Sequence, residues 1–243
     1  MVRANGGDSG GQFVYPGAGG GGRIAVIYAT LDGVPGVRFS ANVGATSWSV
    51  LDIAAPANRT APEVGSLYFP DPLLMSNVLT AWGGTAAALN GYLYFGSTNI
   101  WAPGSLVLSN ATLGIPDSCR WQVAGDLTVI TGGVAVEAKA VLACGGDLRL
   151  TNGALLRVYG GATNGLATTY GALVDIDGAL VVASNCWVYP LAHSTDGGSP
   201  CFMLGSLAVL AGGGINADGR GYYSGCGPGK GGASYGGAGY GGK

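Results

Sequence analysis

Two carboxylates stand two places apart in the segment Val174-Asp175-Ile176-Asp177. Side chains at i and i+2 of a strand share a face, so Asp175 and Asp177 could grip a Ca²⁺ ion or divide acid and base roles on a sugar polymer. The bland alternative is two solvated positions bracketing an inward Ile176. No other metal site or cofactor is implied. Asp126 and Asp147 repeat one another 21 residues apart. Stacked at a strand spacing of about 4.8 Å they would repel unless each caps backbone N–H groups at its corner or a cation sits there, and capping is the expectation.

The one histidine, His193, opens the segment His-Ser-Thr-Asp-Gly-Gly. A serine-histidine-aspartate triad would need Ser194 and Asp196 in the same short loop, where the three side chains cannot converge. Polar loops on a rigid scaffold are nonetheless where binding is usually placed. The ligand-binding candidates are therefore Asn164, Thr168, Tyr170, His193 and Asp196, with Arg157 and Tyr189 nearby.

Three tempting glycine motifs fail. Gly-Cys-Gly-Pro-Gly-Lys-Gly at 225–231 lacks the first glycine and the Ser/Thr of a phosphate loop. Gly-Ala-Gly-Gly-Gly-Gly at 17–22 opens a strand rather than a helix. Gly-Gly-Gly-Ile-Asn-Ala-Asp at 212–218 has Ile215 where a Ca²⁺-binding nonapeptide needs glycine.

The scaffold that must carry these residues is a repeat. The chain restarts one phrase every 21 residues, at Gly83, Gly104, Gly125 and Gly146. Leu106, Leu127 and Leu148 fall together, as do Leu108, Val129 and Leu150. Further along each copy come Leu113 and Ile115, then Val134 and Val136; later still Trp121 and Val123, then Leu142 and Cys144. Alternation of this kind predicts three short strands per copy, with small and polar residues at the corners. One copy cannot bury a core by itself, so copies must stack and share one. The implied fold is all-β, a parallel β-helix (solenoid) of about 21-residue, three-strand coils with Gly-rich ends.

Extending the register back, Leu93 and Phe95 take the second strand and Ile100 and Ala102 the third. An 18-residue coil from Gly65 is also expected, and no segment shows a helical period of useful length. Extending forward, starts at Gly178 and Gly205 follow intervals of 32 and 27 residues. Removing Gly160 to Tyr170 from the first brings Val174 and Ile176 to the core. Removing His193 to Gly198 from the second brings Cys201 and Met203 there. Both insertions fall at the same corner and should form one protruding edge. The expected organisation is a Gly-rich lead-in with β segments over 1–64, solenoid over 65–217 and a Gly/Tyr-rich tail over 218–243.

Composition narrows the function classes. Only 10% of residues are charged and net charge is −2, so no basic patch exists to neutralise phosphates, and a nucleic-acid partner is excluded. Glycine, at 48 of 243 residues, is about three times its usual share, yet 48% hydrophobic content argues for an ordered core. No apolar run reaches the length of a membrane span. Both termini lie in Gly-rich material, which reads as a fragment of a longer protein or a unit whose ends expect neighbours. Five cysteines show no CxxC pair. Cys144 and Cys201 are expected to point inward, with a Cys186–Cys201 disulfide as the weaker alternative.

The series Gly-Ser-Leu-Val-Leu, Gly-Asp-Leu-Thr-Val, Gly-Asp-Leu-Arg-Leu, Gly-Ala-Leu-Val-Val and Gly-Ser-Leu-Ala-Val resembles bacterial right-handed β-helix surface proteins of the autotransporter-passenger and filamentous-adhesin kind. The resemblance implies a right-handed coil, an extracellular or cell-surface location, a non-enzymatic structural or adhesive role, and contact with glycans through loops 160–170 and 193–198. Its partners would be neighbouring repeats or copies stacked end to end, and a surface polysaccharide. The same fold also carries pectate lyases and glycoside hydrolases, so the alternative is a polysaccharide-active enzyme using the loop edge with Asp175 and Asp177. The chain has no Gly-His-Gly, Asn-Thr-Asp, adjacent Asp-Asp or Arg-x-Pro-x-x-Arg motif of those enzymes.

Overall fold

A computed structural model describes residues 1–8, 18–33, 35–44, 64–87, 89–162, 171–195, 197–222 and 226. The 21-residue phrase becomes a physical rung. Leu106–Ile115 lies parallel to Leu127–Val136 with Leu106 beside Leu127 and Ile115 beside Val136. Arg120–Val123 lies parallel to Val141–Cys144 in the same offset. Every paired strand among the described residues is parallel, and all join one extended sheet system. The described residues are thus all-β apart from one helix, as the repeat requires.

The ten-residue strands Leu106–Ile115 and Leu127–Val136 are each two strands joined by a corner. Asn110 and Thr131 take positive φ values of 50° and 59° there, and Asn152 and Asn185, between the separate strands of later rungs, take 57° and 62°. Ser118 and Lys139, again one repeat apart, make the second corner at φ 62° and 61°. The left-handed region turns the chain sharply and disfavours most side chains, which is why short polar residues recur at these places. Thr131 is β-branched and pays for the conformation, with its Oγ1 donating to the Asn152 carbonyl at 3.2 Å.

Inward positions are sealed. Leu106, Leu108, Leu127, Val129, Leu148, Leu150, Leu180 and Val182 are fully buried along one ladder. Leu113, Ile115, Val134, Val136, Leu156 and Val158 line the second, and Trp121, Val123, Leu142, Cys144, Val174 and Ile176 the third. Burying such a side chain contributes about 1.5–3 kcal/mol. The aspartates act as expected at the corner: Asp126 Oδ1 accepts the Asp147 N–H at 2.8 Å, and Asp147 Oδ1 accepts the Ala179 N–H at 2.7 Å. Arg149 pairs with Asp147 Oδ2. Each carboxylate therefore tethers the next rung instead of facing its neighbour unpaired.

The N-terminal rungs are built differently. Val2–Arg3 pairs with Phe39–Ser40, which in turn meets Asn90. Arg23–Ala25 pairs with Ser66–Phe69, which meets Tyr92–Phe95. The register shows that each rung here is two separate segments laid end to end, joined by Gly22 N–H to Ala4 and Gly65 N–H to Ala41 hydrogen bonds of 2.6 Å. Glycine is required at the joint, since a Cβ on Gly65 would lie 1.7 Å from the Gly22 carbonyl oxygen. An aromatic column fills the core behind it. Phe39, Phe69, Phe95, Trp101 and Trp121 stack in sequence with centroids 5.2, 6.3, 6.3 and 4.9 Å apart.

Three expectations are corrected. The segment taken as a coil from Gly65 contains a helix, Leu73–Ala81. Its buried residues Leu74, Met75, Val78 and Leu79 form a helical stripe. Asp71 Oδ1 accepts the Leu73 N–H at 2.8 Å, Pro72 opens the first turn, and Gly83 and Gly84 at φ 62° and 81° end it. Trp101, 1% exposed, replaces Ile100 and Ala102 as the third-strand core residue of that repeat, and Ile100 is 46% exposed. In the last rung Val174 aligns with Phe202 and Ile176 with Leu204. Those two face the core, while Cys201 is only half-buried and Met203 is turned outward at 56% exposure. An insertion shifted by one residue flips every side chain. All five cysteines are free thiols, and burial pushes the Cys144 thiol above its ordinary pKa. No helix among the described residues is long and apolar enough to cross a membrane.

Candidate functional site

Of the loop candidates, Asn164, Thr168, Tyr170 and Asp196 lie outside the described residues. The bases of the two insertions do meet: Gly160 N–H donates to Leu191 at 2.6 Å and Gly171 N–H to Ser199 at 2.7 Å. Arg157 and Tyr189 are register partners on adjacent rungs. Tyr189 is buried, with the Arg220 guanidinium 5.3 Å from its ring centre. Burial raises its phenol pKa, opposed by Arg157 and Arg220. His193 sits in a tight turn, its N–H donating to Gly198 at 2.8 Å and its carbonyl accepting from Gly197 at 2.9 Å. Its Nδ1 lies 3.3 Å from Thr195 Oγ1.

Asp175 is half-buried and Asp177 exposed. They line a shallow groove of about 350 Å³ with Arg120 and Gln122. No third carboxylate joins them: among the described residues no group of three His, Cys, Asp or Glu is gathered to hold a metal.

A larger concave surface lies elsewhere, on the outward face of the second ladder. Two rows run across the rungs there. One is Arg23, Ser66, Tyr92, Gly114, Ala135, Arg157 and Tyr189, each in register with the next. The other begins Ala25, Tyr68, Tyr94. One residue past the register pairs of Val136 with Ile115 and Val158, the same row brings Pro116, Glu137 and Tyr159 into line. Alternation forces these side chains out because Leu67, Leu93, Phe95 and Val136 point in.

Together Arg23, Tyr68, Tyr92, Tyr94, Asp117, Glu137 and Tyr159 line a groove of about 1050 Å³. The ring of Tyr92 lies flat over Gly114, where an added Cβ would come within 2.1 Å of it. That tilt carries its hydroxyl across a whole rung to donate to Glu137 Oε1 at 2.6 Å. The Tyr68 hydroxyl similarly covers Gly96. Tyr94 stands 42% exposed at the centre. Burial raises its phenol pKa first, then the nearby Cys119, Glu137 and Asp117, against the lowering influence of Arg23. It stays a neutral hydrogen-bond donor and acceptor.

Aromatic faces with polar tips, flanked by carboxylates and one guanidinium, suit a ligand that presents both C–H faces and many hydroxyls. The sequence reading missed this groove because its members are scattered from Arg23 to Tyr159. The signal was present in Tyr92-Leu93-Tyr94-Phe95 and Leu67-Tyr68-Phe69, where tyrosine alternates with inward apolar residues. No protein-family model, no curated protein and no solved structure matches the chain.

Proposed function

We propose that the chain forms a closed, right-handed parallel β-helix that serves outside the cell or at its surface as a structural and adhesive module. It holds a polysaccharide in the groove of Tyr68, Tyr92, Tyr94 and Tyr159. The observation that carries the reading is the outward tyrosine set, fixed by rigid strands rather than loops, with Tyr92 hydrogen-bonded to Glu137 and Asp117 lining the same groove. With rungs about 4.8 Å apart, Tyr68 and Tyr94 stand on adjacent rungs and Tyr159 three rungs further along the same row, a line of aromatic faces that suits a linear polymer. Neutral sugars stack on such rings while their hydroxyls donate to carboxylates. The loops at 160–170 and 193–198 would supply a second contact beyond Arg157 and Tyr189, and further repeats or copies would stack end to end.

A second reading is enzymatic. Two carboxylates, Asp117 and Glu137, flank Tyr94 inside the groove, and Asp175 with Asp177 offers the other pair. The deciding experiment is a glycan-array screen of the purified chain, with and without Ca²⁺, followed by product analysis on every hit. Binding without product, abolished by Tyr94→Ala, supports the adhesive reading. Cleavage lost in Glu137→Gln supports the enzyme, and no binding to any glycan overturns both.

A further inference from the structure

The charges of the tyrosine groove are divided along its length. Arg23 stands at the first rung of the row that runs through Ser66, Tyr92 and Gly114 to Ala135. The carboxylates stand at the other end of that run, Asp117 just past Pro116 on the rung of Gly114, and Glu137 two residues past Ala135. Strand spacing sets the rung of Glu137 about 19 Å from that of Arg23, and the exposed rings of Tyr68 and Tyr94 lie between. Arg23 is the one cation among the described residues lining the groove. Arg157, the next along the row, faces Tyr189 instead, and Arg149 is paired with Asp147. Glu137 is held by the Tyr92 hydroxyl. Asp117 is exposed, its Oδ1 accepting the Ser118 hydroxyl at 2.7 Å, and its second oxygen has no partner among the described residues. At Tyr94 the negative groups prevail: beyond burial, Cys119, Glu137 and Asp117 push its phenol pKa up, and Arg23 alone pulls it down.

We infer that the saccharide this groove takes carries free, protonated amino groups, and that it sits with an ammonium on Asp117 and its C–H faces on Tyr94 and Tyr68. An ammonium gains twice at this place. It donates charge-assisted hydrogen bonds to a carboxylate, and the face of a neighbouring phenol ring attracts it. A neutral polymer keeps the ring stacking but offers Asp117 only hydroxyls. A polyuronate sets its own carboxylates against Asp117 and Glu137, and like charges in contact cost affinity. Asp117 is thus the residue that selects the ligand's charge, while the tyrosines bind the sugar rings common to all three polymers. The inference rests on the saccharide reading and adds to it the sign of the ligand's charge.

The test is isothermal titration calorimetry of the full chain, at low ionic strength, with hexamers of glucosamine, N-acetylglucosamine and galacturonic acid. The glucosamine hexamer should bind about tenfold or more tighter than either of the others. Asp117→Asn should shrink that preference to within about threefold, and Tyr94→Ala should weaken the glucosamine hexamer about tenfold or more. Asp32→Asn, which removes an equal charge outside the groove, should leave the preference intact. An N-acetylglucosamine or galacturonic acid hexamer that binds as tightly as the glucosamine one overturns the inference and leaves the saccharide reading standing. A preference that survives Asp117→Asn or disappears in Asp32→Asn overturns it as well, since attraction to the chain's overall negative charge would then be its source. If no hexamer binds although the array finds a glycan, the inference alone fails; if the array is also blank, both fail. Should a variant fail to fold, salt decides on the unaltered chain. Raising ionic strength must weaken the glucosamine hexamer more than the N-acetylglucosamine one, and a preference indifferent to salt refutes the role of Asp117.

Discussion

The rungs between Leu106 and Val158 and those before Phe95 reach the same parallel pairing by different means. In the first region one continuous stretch makes each rung, polar residues at positive φ turn the corners, and aliphatic side chains fill the interior beyond Trp121, where the aromatic column ends. In the second, two distant segments share a rung, glycines let backbones touch at the joint, and a column of aromatic rings fills the space. Regularity in sequence is one way to satisfy strand pairing; interlocking of separate segments is another. The tyrosine groove straddles the two, taking Arg23, Tyr68, Tyr92 and Tyr94 from the irregular side and Asp117, Glu137 and Tyr159 from the regular one.

The contrast can be broken most severely at a joint. Gly65→Ala places a methyl inside the van der Waals radius of the Gly22 carbonyl. Amides of Arg23–Ala25 should then lose exchange protection while those of Leu127–Val136 keep theirs; equal loss in both would mean the two regions are not separately built. Next come the two kinds of core. Phe69→Ala should destabilise by about 3–5 kcal/mol and Leu150→Ala by about 2–5 kcal/mol in denaturant titrations, with the spread reflecting how far each site collapses. Smaller is the loss of a rung tether. Asp147→Ala frees the Ala179 N–H and the Arg149 guanidinium, and should cost about 1–2 kcal/mol.

An alkaline titration sharpens the comparison further. Tyr28, Tyr94 and Tyr189 all have phenol pKa values raised first by burial. The unfolded chain then binds fewer protons than the folded one as pH passes the ordinary tyrosine value of about 10. Stability is full below that value and falls as pH climbs through the raised ones. Ultraviolet titration of tyrosinate against melting temperature checks it, and Tyr94→Phe should lessen the fall. The smallest change expected is a gain. Thr131→Asn relieves a β-branched residue at φ 59° and should add up to about 1 kcal/mol.

Much of this architecture could be read from Leu106, Leu127 and Leu148, because a side chain's inward direction depends only on its parity along a strand. The tethering role of Asp126 and Asp147 followed from the same spacing. Parity is also where the reading slipped. The length of an insertion decides odd from even, and nothing in His193 to Gly198 revealed that Phe202, rather than Cys201, resumes the core. The helix Leu73–Ala81 escaped notice because nine residues hold too few turns for a period to stand out against strand alternation. Tyr92 and Glu137 are 45 residues apart, and no local pattern announces a hydrogen bond that crosses an intervening rung.

That crossing depends on an absence. Gly114 contributes no side chain, and the Tyr92 ring occupies the space a methyl would take. The position acts as a mould for the groove floor: Gly114→Ala lifts the ring, Gly114→Val lifts it further, and each step detaches Tyr92 from Glu137 and narrows the trough above. The depth of the groove beneath Tyr92 is therefore set by the size of one residue that does not line it, so its shape can be graded through Gly114 while every lining side chain stays the same.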